Sequence, residues 1–211
     1  KKKIVLEIGP GYGALTDVIL FNNPQKVILV EKDQNLTKIL RKKYQTNNKI
    51  DIYEKDILNF DLKEFKNLIV ISNLPYNTST KIILYLLNYN KNISEMIFMI
   101  QKEVAQKFDY NLPKMNKYKF FTKISSDYSI NFNVSNKVFY PKPKVESSVV
   151  KFQLKRTEIN LNKATYFSNL IFKNVRKRIN NNLKLNKSDP LLNKRVGQLS
   201  ISELLNIYNF F

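Results

Sequence analysis

Residues 4–14 read Ile4-Val5-Leu6-Glu7-Ile8-Gly9-Pro10-Gly11-Tyr12-Gly13-Ala14, and the fold turns on how that stretch is understood. An apolar run of strand length ends in three glycines spaced by single residues. A helix-period segment, Ala14–Phe21, follows at once. Glycines at such a point let the backbone turn tightly from strand to helix and let a ligand approach main-chain amides without meeting a Cβ. Taken alone the stretch is ambiguous. It fits a plain strand–helix turn, and Gly9-x-Gly11-x-x-Ala14 also fits the loose dinucleotide fingerprint.

The surrounding pattern supplies the context. Strand-length apolar runs at Lys3–Ile8, Lys26–Glu31, Ile50–Tyr53, Leu68–Ser72 and Glu95–Gln101 alternate with helical patterns at Ala14–Phe21, Leu36–Tyr44 and Thr78–Tyr89. Such alternation predicts an α/β fold with a mostly parallel sheet wrapped by helices. Beyond Gln101 the pattern loosens into a short helix near Val104–Phe108 and a polar stretch around Asn111–Lys119. Two more strands are expected at Tyr128–Val134 and Ser147–Leu154, with Pro141-Lys142-Pro143 between them as a rigid loop. From about Thr157 the chain reads as helical. Phe167, Leu170, Ile171 and Asn174-Val175 recur at helical spacing, as do Ile201, Leu204, Leu205 and Tyr208. The expected organisation is a domain over 1–154 and a small all-helical one over 155–211, with no internal repeat.

Composition excludes several chemistries. The 211 residues include no Cys and no His. Disulfides, thiolate zinc sites and cysteine nucleophiles are therefore out, and so are the commonest general base and the commonest transition-metal ligand. A hydrophobic share of 43% supports a real core. No apolar run approaches the ~20 residues that span a bilayer, so no membrane association and a soluble, cytoplasmic chain are expected, or an organellar one from an AT-rich eukaryote. The chain opens almost directly on a strand with neither an initiator Met nor a signal sequence, and residues upstream of it are expected. The net charge of +19 points to a polyanionic partner. Codon bias competes with that reading, since 28 residues are Asn and Lys and Ile are abundant. Distribution separates the two: residues 1–150 carry 24 basic and 14 acidic side chains, and residues 151–211 carry 12 and 3. The helical end is therefore the more basic part, with Arg176, Lys177 and Arg178 as candidate RNA contacts beside Lys142 and Lys144 of the proline loop.

Three acidic residues then stand near the ends of the first three strands. Glu7 lies two residues before the first glycine, where it suits a cationic amino-acid ligand and would repel a pyrophosphate; it favours S-adenosylmethionine (AdoMet) over a dinucleotide. Glu31, followed by Lys32, offers acceptors for both ribose hydroxyls. Asp56 either accepts from an adenine amine, with Ile57 against the ring, or caps a helix. Ligands in such sheets sit beyond the carboxyl ends of the strands. The fourth strand ends in Asn73-Leu74-Pro75-Tyr76. An exocyclic adenine amine is a poor nucleophile because its lone pair is delocalised into the ring. Two acceptors for its hydrogens, the Asn73 side-chain carbonyl and the Leu74 backbone carbonyl, favour a pyramidal nitrogen aimed at the methyl group without any titrating base. Pro75 stiffens the turn and Tyr76 offers a stacking face. As an isolated match, Asn-x-Pro is only a common turn. The target base must be single-stranded or flipped, which calls for a second aromatic wall; Phe139 is the candidate, or else an ordinary core residue.

These motifs together resemble a known family. Glu7-x-Gly9-x-Gly11, Asn73-Leu74-Pro75-Tyr76-Asn77, Gln101-Lys102-Glu103-Val104-Ala105 and Phe139-x-Pro141-x-Pro143-Lys144-Val145-x-Ser147 look like the ribosomal RNA adenine dimethyltransferases of the KsgA type. So do Val175-Arg176-Lys177, Asn181-Asn182-Leu183, Asp189-Pro190 and Leu199–Glu203, which are similar to that family's helical C-terminal domain. The resemblance implies a Rossmann-like AdoMet-dependent methyltransferase sheet and transfer of two methyls to each of two adjacent adenines near the 3′ end of small-subunit rRNA. It also implies a role in ribosome maturation, acting as a monomer on the immature subunit without metal. By position, Gly9, Glu31, Asp56 and Asn73 match AdoMet contacts; Asn73, Leu74, Tyr76 and Phe139 match target-base positions. The family's upstream Gln-Asn-Phe-Leu segment is not in this chain. The stretch after Ala105 also lacks the family's glycines around the tyrosine that Tyr118 stands for. A large-subunit enzyme of the antibiotic-resistance type shares the catalytic loop, but Gln101–Val104 and Leu199–Glu203 favour the small-subunit type. A non-catalytic mitochondrial transcription-factor relative would have no use for an intact Asn73–Tyr76. A nicotinamide oxidoreductase would lack its proton donor.

Overall fold

The central strand β1 (Ile4–Ile8) is buried from Val5 onward, and its neighbour β2 (Lys26–Glu31) from Val27 onward. Strands covered on both faces read as near-continuous apolar runs, which is why these segments show no alternation. The computed structural model describes residues 3–140, 143–156, 160–184 and 189–211. In chain order the remaining elements of the sheet domain are α1 (Ala14–Phe21), α2 (Gln34–Lys43), β3 (Ile50–Glu54), β4 (Leu68–Asn73), α3 (Ser79–Leu87), β5 (Ile93–Gln101), α4 (Lys102–Phe108), α5 (Lys117–Ser125), β6 (Ser126–Val134) and β7 (Ser147–Leu154). The helices α6 (Leu161–Ile171), α7 (Ile179–Leu183) and α8 (Ile201–Phe210) follow.

Among the described residues the strands form one seven-stranded sheet in the order β3-β2-β1-β4-β5-β7-β6. The first five strands run parallel, and β7 enters antiparallel between β5 and β6. The chain builds outward from β1 to β3, then returns to lay β4 on the other side of β1. That reversal opens a crevice at the carboxyl ends of β1 and β4, the place where open α/β sheets bind ligands.

Three expected elements, Ala14–Phe21, Lys26–Glu31 and Ser147–Leu154, are found with the same bounds, and the other expected strands and helices of the sheet domain shift by one or two residues. Two readings need correction. The polar stretch around Asn111–Lys119 gives way at Lys117 to helix α5, whose N-cap Asn116 accepts from the Lys119 amide at 3.0 Å. The helical spacing through Asn174-Val175 overruns α6, which ends at Ile171, and Val175 is half exposed. Asn174 makes a side-chain turn there, its Oδ1 accepting from the Arg176 amide at 3.3 Å, and such local bonds compete with helix. Pro141, Lys142 and Thr157 lie outside the described residues.

A second apolar cluster joins Phe167, Ile171, Ile179, Leu192, Val196, Leu204 and Ile207 to Phe120 of α5. The Phe120 ring lies 5.4 Å from Phe167 and 5.3 Å from Tyr208. The segment Leu199–Glu203 starts α8 with a capping box: the Glu203 amide donates to Ser200 Oγ and the Ser200 amide to Glu203 Oε2. Among the described residues no helix is long and apolar enough to cross a membrane.

Candidate active site

The glycine loop after β1 is built on left-handed backbone, with φ of 61°, 59° and 81° at Gly9, Gly11 and Gly13. At Gly13 a side chain is also sterically barred, because a Cβ would stand 2.4 Å from the Tyr44 hydroxyl. Gly11 has open space in its place and aims its amide at Glu31 Oε2, 3.4 Å away. Glu31 sits at the end of β2, nearly buried, with Oε1 accepting from the Asp33 amide at 3.0 Å. A main-chain donor thus orients each carboxylate oxygen.

Gly9, Gly11, Glu31, Lys32, Asp56 and Ile57 line one cavity of about 230 Å³, together with Pro75, Thr78 and Ile82. This is below the ~300–1,000 Å³ usual for a whole-ligand site and suits a nucleoside end better than a dinucleotide. Asp56 Oδ1 caps the turn Ile57–Asn59 through the Leu58 amide at 2.9 Å, and the residue also lines the cavity. Ile57 is buried against the same wall. A larger hollow of about 580 Å³ lies at the other end of the strands, lined by Lys3, Val5, Val18, Asn23, Pro24 and Ile71. Neither the glycine loop nor an acidic side chain reaches it.

Glu7 is not on the cavity wall. It stands in β1 between Leu29 and Ile71, with 2% of its surface exposed, and accepts a 2.6 Å hydrogen bond from Thr16 Oγ1 on α1. Burial pushes its carboxyl up to about 7 from the ordinary 4.5; the Thr16 bond and Lys43 oppose the shift and Asp17 adds to it. The only buried side-chain polar atom without a partner among the described residues is Ser125 Oγ, so the free Oε1 of Glu7 is not sealed off.

The Asn73–Tyr76 loop leaves β4 beside this crevice. Ser72 Oγ donates to the Ile8 carbonyl at the end of β1, and the Leu74 amide donates to the Met99 carbonyl of β5 at 3.2 Å. The Pro75 carbonyl starts α3 by accepting from the Thr78 and Ser79 amides. These bonds fix the backbone while leaving the Asn73 side chain exposed at the strand tip. Among the described residues no group donates to the Asn73 side-chain carbonyl or to the Leu74 backbone carbonyl, and Pro75 alone of the four reaches the cavity lining. Tyr76 is half-buried, its hydroxyl 3.0 Å from Ser147 Oγ at the start of β7. Phe139 follows the turn Asn136–Val138, half-buried, and no ring pair joins it to Tyr76 among the described residues. Its loop is braced by Asn136 Nδ2 donating to the Pro143 carbonyl at 3.1 Å.

Of the basic candidates, Lys144, Arg176, Lys177 and Arg178 are exposed and make no ion pair among the described residues, while Lys142 lies outside them. Thr16, Thr78 and Ser147 are contacts that the reading of motifs did not assign. Ser147 closes the quoted Phe139–Ser147 motif, so it was visible but had no role attached to it.

The strand order, the glycine loop after β1 and the acidic side chains on the cavity wall define a Rossmann-like methyltransferase. The family model described as "Ribosomal RNA adenine dimethylase" matches residues 1–211, and the chain belongs to that family. The ribosomal RNA small subunit methyltransferase A of Malacoplasma penetrans is 40% identical over 187 residues, covering 85% of this chain and 67% of that protein. That of Hydrogenobaculum sp. (strain Y04AAS1) is 36% identical over 208 residues, covering 97% and 81%. Two crystal structures share the fold: a dimethyladenosine transferase from Plasmodium falciparum (TM-score 0.78, 23% identity, 99% of this chain and 90% of that one) and the 23S rRNA methyltransferase ErmE (TM-score 0.77, 20% identity, 99% and 90%).

Proposed function

We propose that this enzyme moves methyl groups from AdoMet to the N6 amines of two adjacent adenines near the 3′ end of small-subunit rRNA. The observation that carries the reading is the pair of unclaimed acceptors, the Asn73 side-chain carbonyl and the Leu74 backbone carbonyl, at the switch-point crevice beside the Glu31–Asp56 cavity. The residues present fit the cofactor. Glu31 takes the ribose hydroxyls, Asp56 the adenine amine through its uncapped oxygen, Ile57 the ring, and Gly9 and Gly11 admit the ligand against bare backbone. Lys32 borders the ribose end, and Glu7, off that wall, offers its free Oε1 to the ammonium of the amino-acid end. When bound, AdoMet supplies a methyl group already activated by its sulfonium, so the chain needs neither a metal nor a nucleophile of its own.

The protein's contribution is alignment. Asn73 and Leu74 accept hydrogen bonds from the two amine hydrogens and turn the nitrogen lone pair toward the methyl group, and the proton that the methylated amine sheds leaves to solvent. Pro75 keeps the two acceptors in register, and Tyr76 and Phe139 hold the flipped base between aromatic faces. Positioning of this kind accounts for much of a barrier reduction without proton transfer by a side chain. We assign residues 155–211, seated on Phe120, to holding rRNA within the immature small subunit, through Arg176, Lys177 and Arg178 together with Lys142 and Lys144 of the catalytic domain. We assign the enzyme to the cytoplasm, where it acts as a monomer.

Mapping N6,N6-dimethyladenosine on small- and large-subunit rRNA, with and without the protein, tests the assignment. Two adjacent modified adenines near the small-subunit 3′ end are expected. Modification confined to large-subunit rRNA, or none, refutes it.

A further inference from the structure

The catalytic loop is tied to β1, β5 and β7, and one of the three ties differs in kind from the other two. The bonds from Ser72 to Ile8 and from Leu74 to Met99 fix main chain. The third, between the Tyr76 hydroxyl and Ser147 Oγ at 3.0 Å, is the one that fixes the ring. Ser147 is wholly buried in β7, paired with Gln101 of β5 on one side and Val134 of β6 on the other. Its neighbour is clasped as well. Glu146 accepts from Lys102 twice, through its main-chain carbonyl at 3.0 Å and its carboxylate at 2.8 Å.

We infer that Ser147 is a positioning residue for methyl transfer: its hydroxyl, held by β7 and by the Lys102–Glu146 clasp, fixes where the Tyr76 ring stands, and the target adenine stacks on that ring. The inference rests on the reading of Tyr76 given above. A tyrosine ring swings about its Cα–Cβ bond, and the hydroxyl is the end farthest from that bond, so a hydrogen bond there restrains the swing with the longest lever. A base stacked on the ring follows that swing and carries its amine toward or away from Asn73 and Leu74. Misplacement by about 1 Å is enough to cost on the order of a hundredfold in a reaction that depends on alignment. Ser147 thus acts on the rate without touching base or cofactor. The Lys102–Glu146 pair is half exposed, with 43% and 50% of its side-chain surfaces open. Such pairs add little to stability, which suits a part that aims a loop rather than one that holds the fold.

Ser147→Ala and Tyr76→Phe remove the same bond from opposite ends. Each is expected to lower kcat on small-subunit rRNA by about three- to tenfold, the rate equivalent of one neutral hydrogen bond. AdoMet affinity and Tm stay unchanged, and the double variant loses no more than either single one. Ser147→Thr, which keeps the hydroxyl, restores the rate. With 2-aminopurine at the target position of the RNA, Ser147→Ala shows weaker stacking quench than the parent protein. Additive losses in the double variant, an unchanged kcat for Ser147→Ala, or a rate loss matched by lower Tm and cofactor affinity would overturn the inference. Tyr76→Ala separates it from the reading beneath it. If that variant is inactive while the losses are additive, only the role of Ser147 fails; if it is fully active, both fail.

Discussion

Glu7 gives the sharpest test of the cofactor assignment because its carboxyl is pushed up to about 7 in the cofactor-free fold, chiefly by burial. Below that pH the group is mostly neutral and cannot pair with an ammonium. An amino-acid end placed beside Glu7 therefore binds its ionised form, and AdoMet affinity rises with pH until the carboxyl is fully charged. At pH 6 about one molecule in eleven is ionised, and at pH 5.5 about one in thirty, each unit being worth ~1.4 kcal/mol. The dissociation constant should then be roughly twenty- to thirtyfold weaker at pH 5.5 than at pH 7.5, measured by calorimetric titration. The window is unusually clean because the chain has no His and no Cys to titrate in it. Glu7→Gln should flatten the profile. Stability follows the opposite course. The folded state holds the Glu7 proton more tightly than the unfolded chain does, so stability is lost as pH rises from 4.5 to about 7, by up to roughly 3 kcal/mol. Glu7→Gln should recover most of that loss at pH 8 in the cofactor-free protein. An affinity that changes less than about twofold between pH 5.5 and 7.5, or a Glu7→Gln variant that keeps the slope, would refute the placement of Glu7 against the cofactor.

Asn73→Ala should reduce methyl transfer by at least ~10²-fold while AdoMet still binds, because one of two amine acceptors is gone and the cavity wall is intact; residual activity within tenfold of the parent would sink the acceptor mechanism. Glu31→Ala should weaken AdoMet by about tenfold or more and leave rRNA affinity unchanged, and it frees the Gly11 and Asp33 amides that Glu31 now holds. Equal cofactor affinity in an equilibrium titration would reject that role. Reversing charge at Arg176 and Lys177 should lower rRNA affinity and shrink the slope of log K against log salt by about one per lost phosphate contact. An unaltered slope would return those charges to codon bias.

How much of this was legible depends on what each residue answers to. The central strands β1 and β2 were readable because strands buried on both faces read as apolar runs, and because glycines at left-handed φ leave a visible mark after β1. Helix α5 was hidden by Lys119, a lysine at a buried position whose ammonium donates to the Leu112 and Pro113 carbonyls at 2.6 Å each. A charge satisfied that way breaks the apolar period without breaking the helix. Val175 misled in the other direction, since its spacing fits a helix that the Asn174 turn has already ended. At Asp56 the two local readings did not exclude each other; one oxygen caps and the residue still faces the cavity. Contacts made by the tertiary fold left no local trace. Tyr76 and Ser147 are 71 residues apart, and nothing in either neighbourhood signals their bond.

The place of α5 bears on how a target is selected. Tyr118 packs against the main core, Phe120 belongs to the second cluster, and Phe121 touches both. The chain leaving β7 is stapled to the end of that helix and to the strand after it, with the Lys155 amide on the Ser125 carbonyl at 2.8 Å and its ammonium on Asp127 of β6 at 3.0 Å. The helical region that we assign to rRNA is therefore tied to the root of β6, and β6 pairs with the strand that carries Ser147 and follows the Phe139 loop. Phosphate contacts from Arg176–Arg178 would carry no sequence information, but they would fix the register of the RNA on the protein. A rigid connection converts that register into the choice of which adenine reaches Asn73. Shape and reach can then select the target, and the aromatic walls need only accept an adenine.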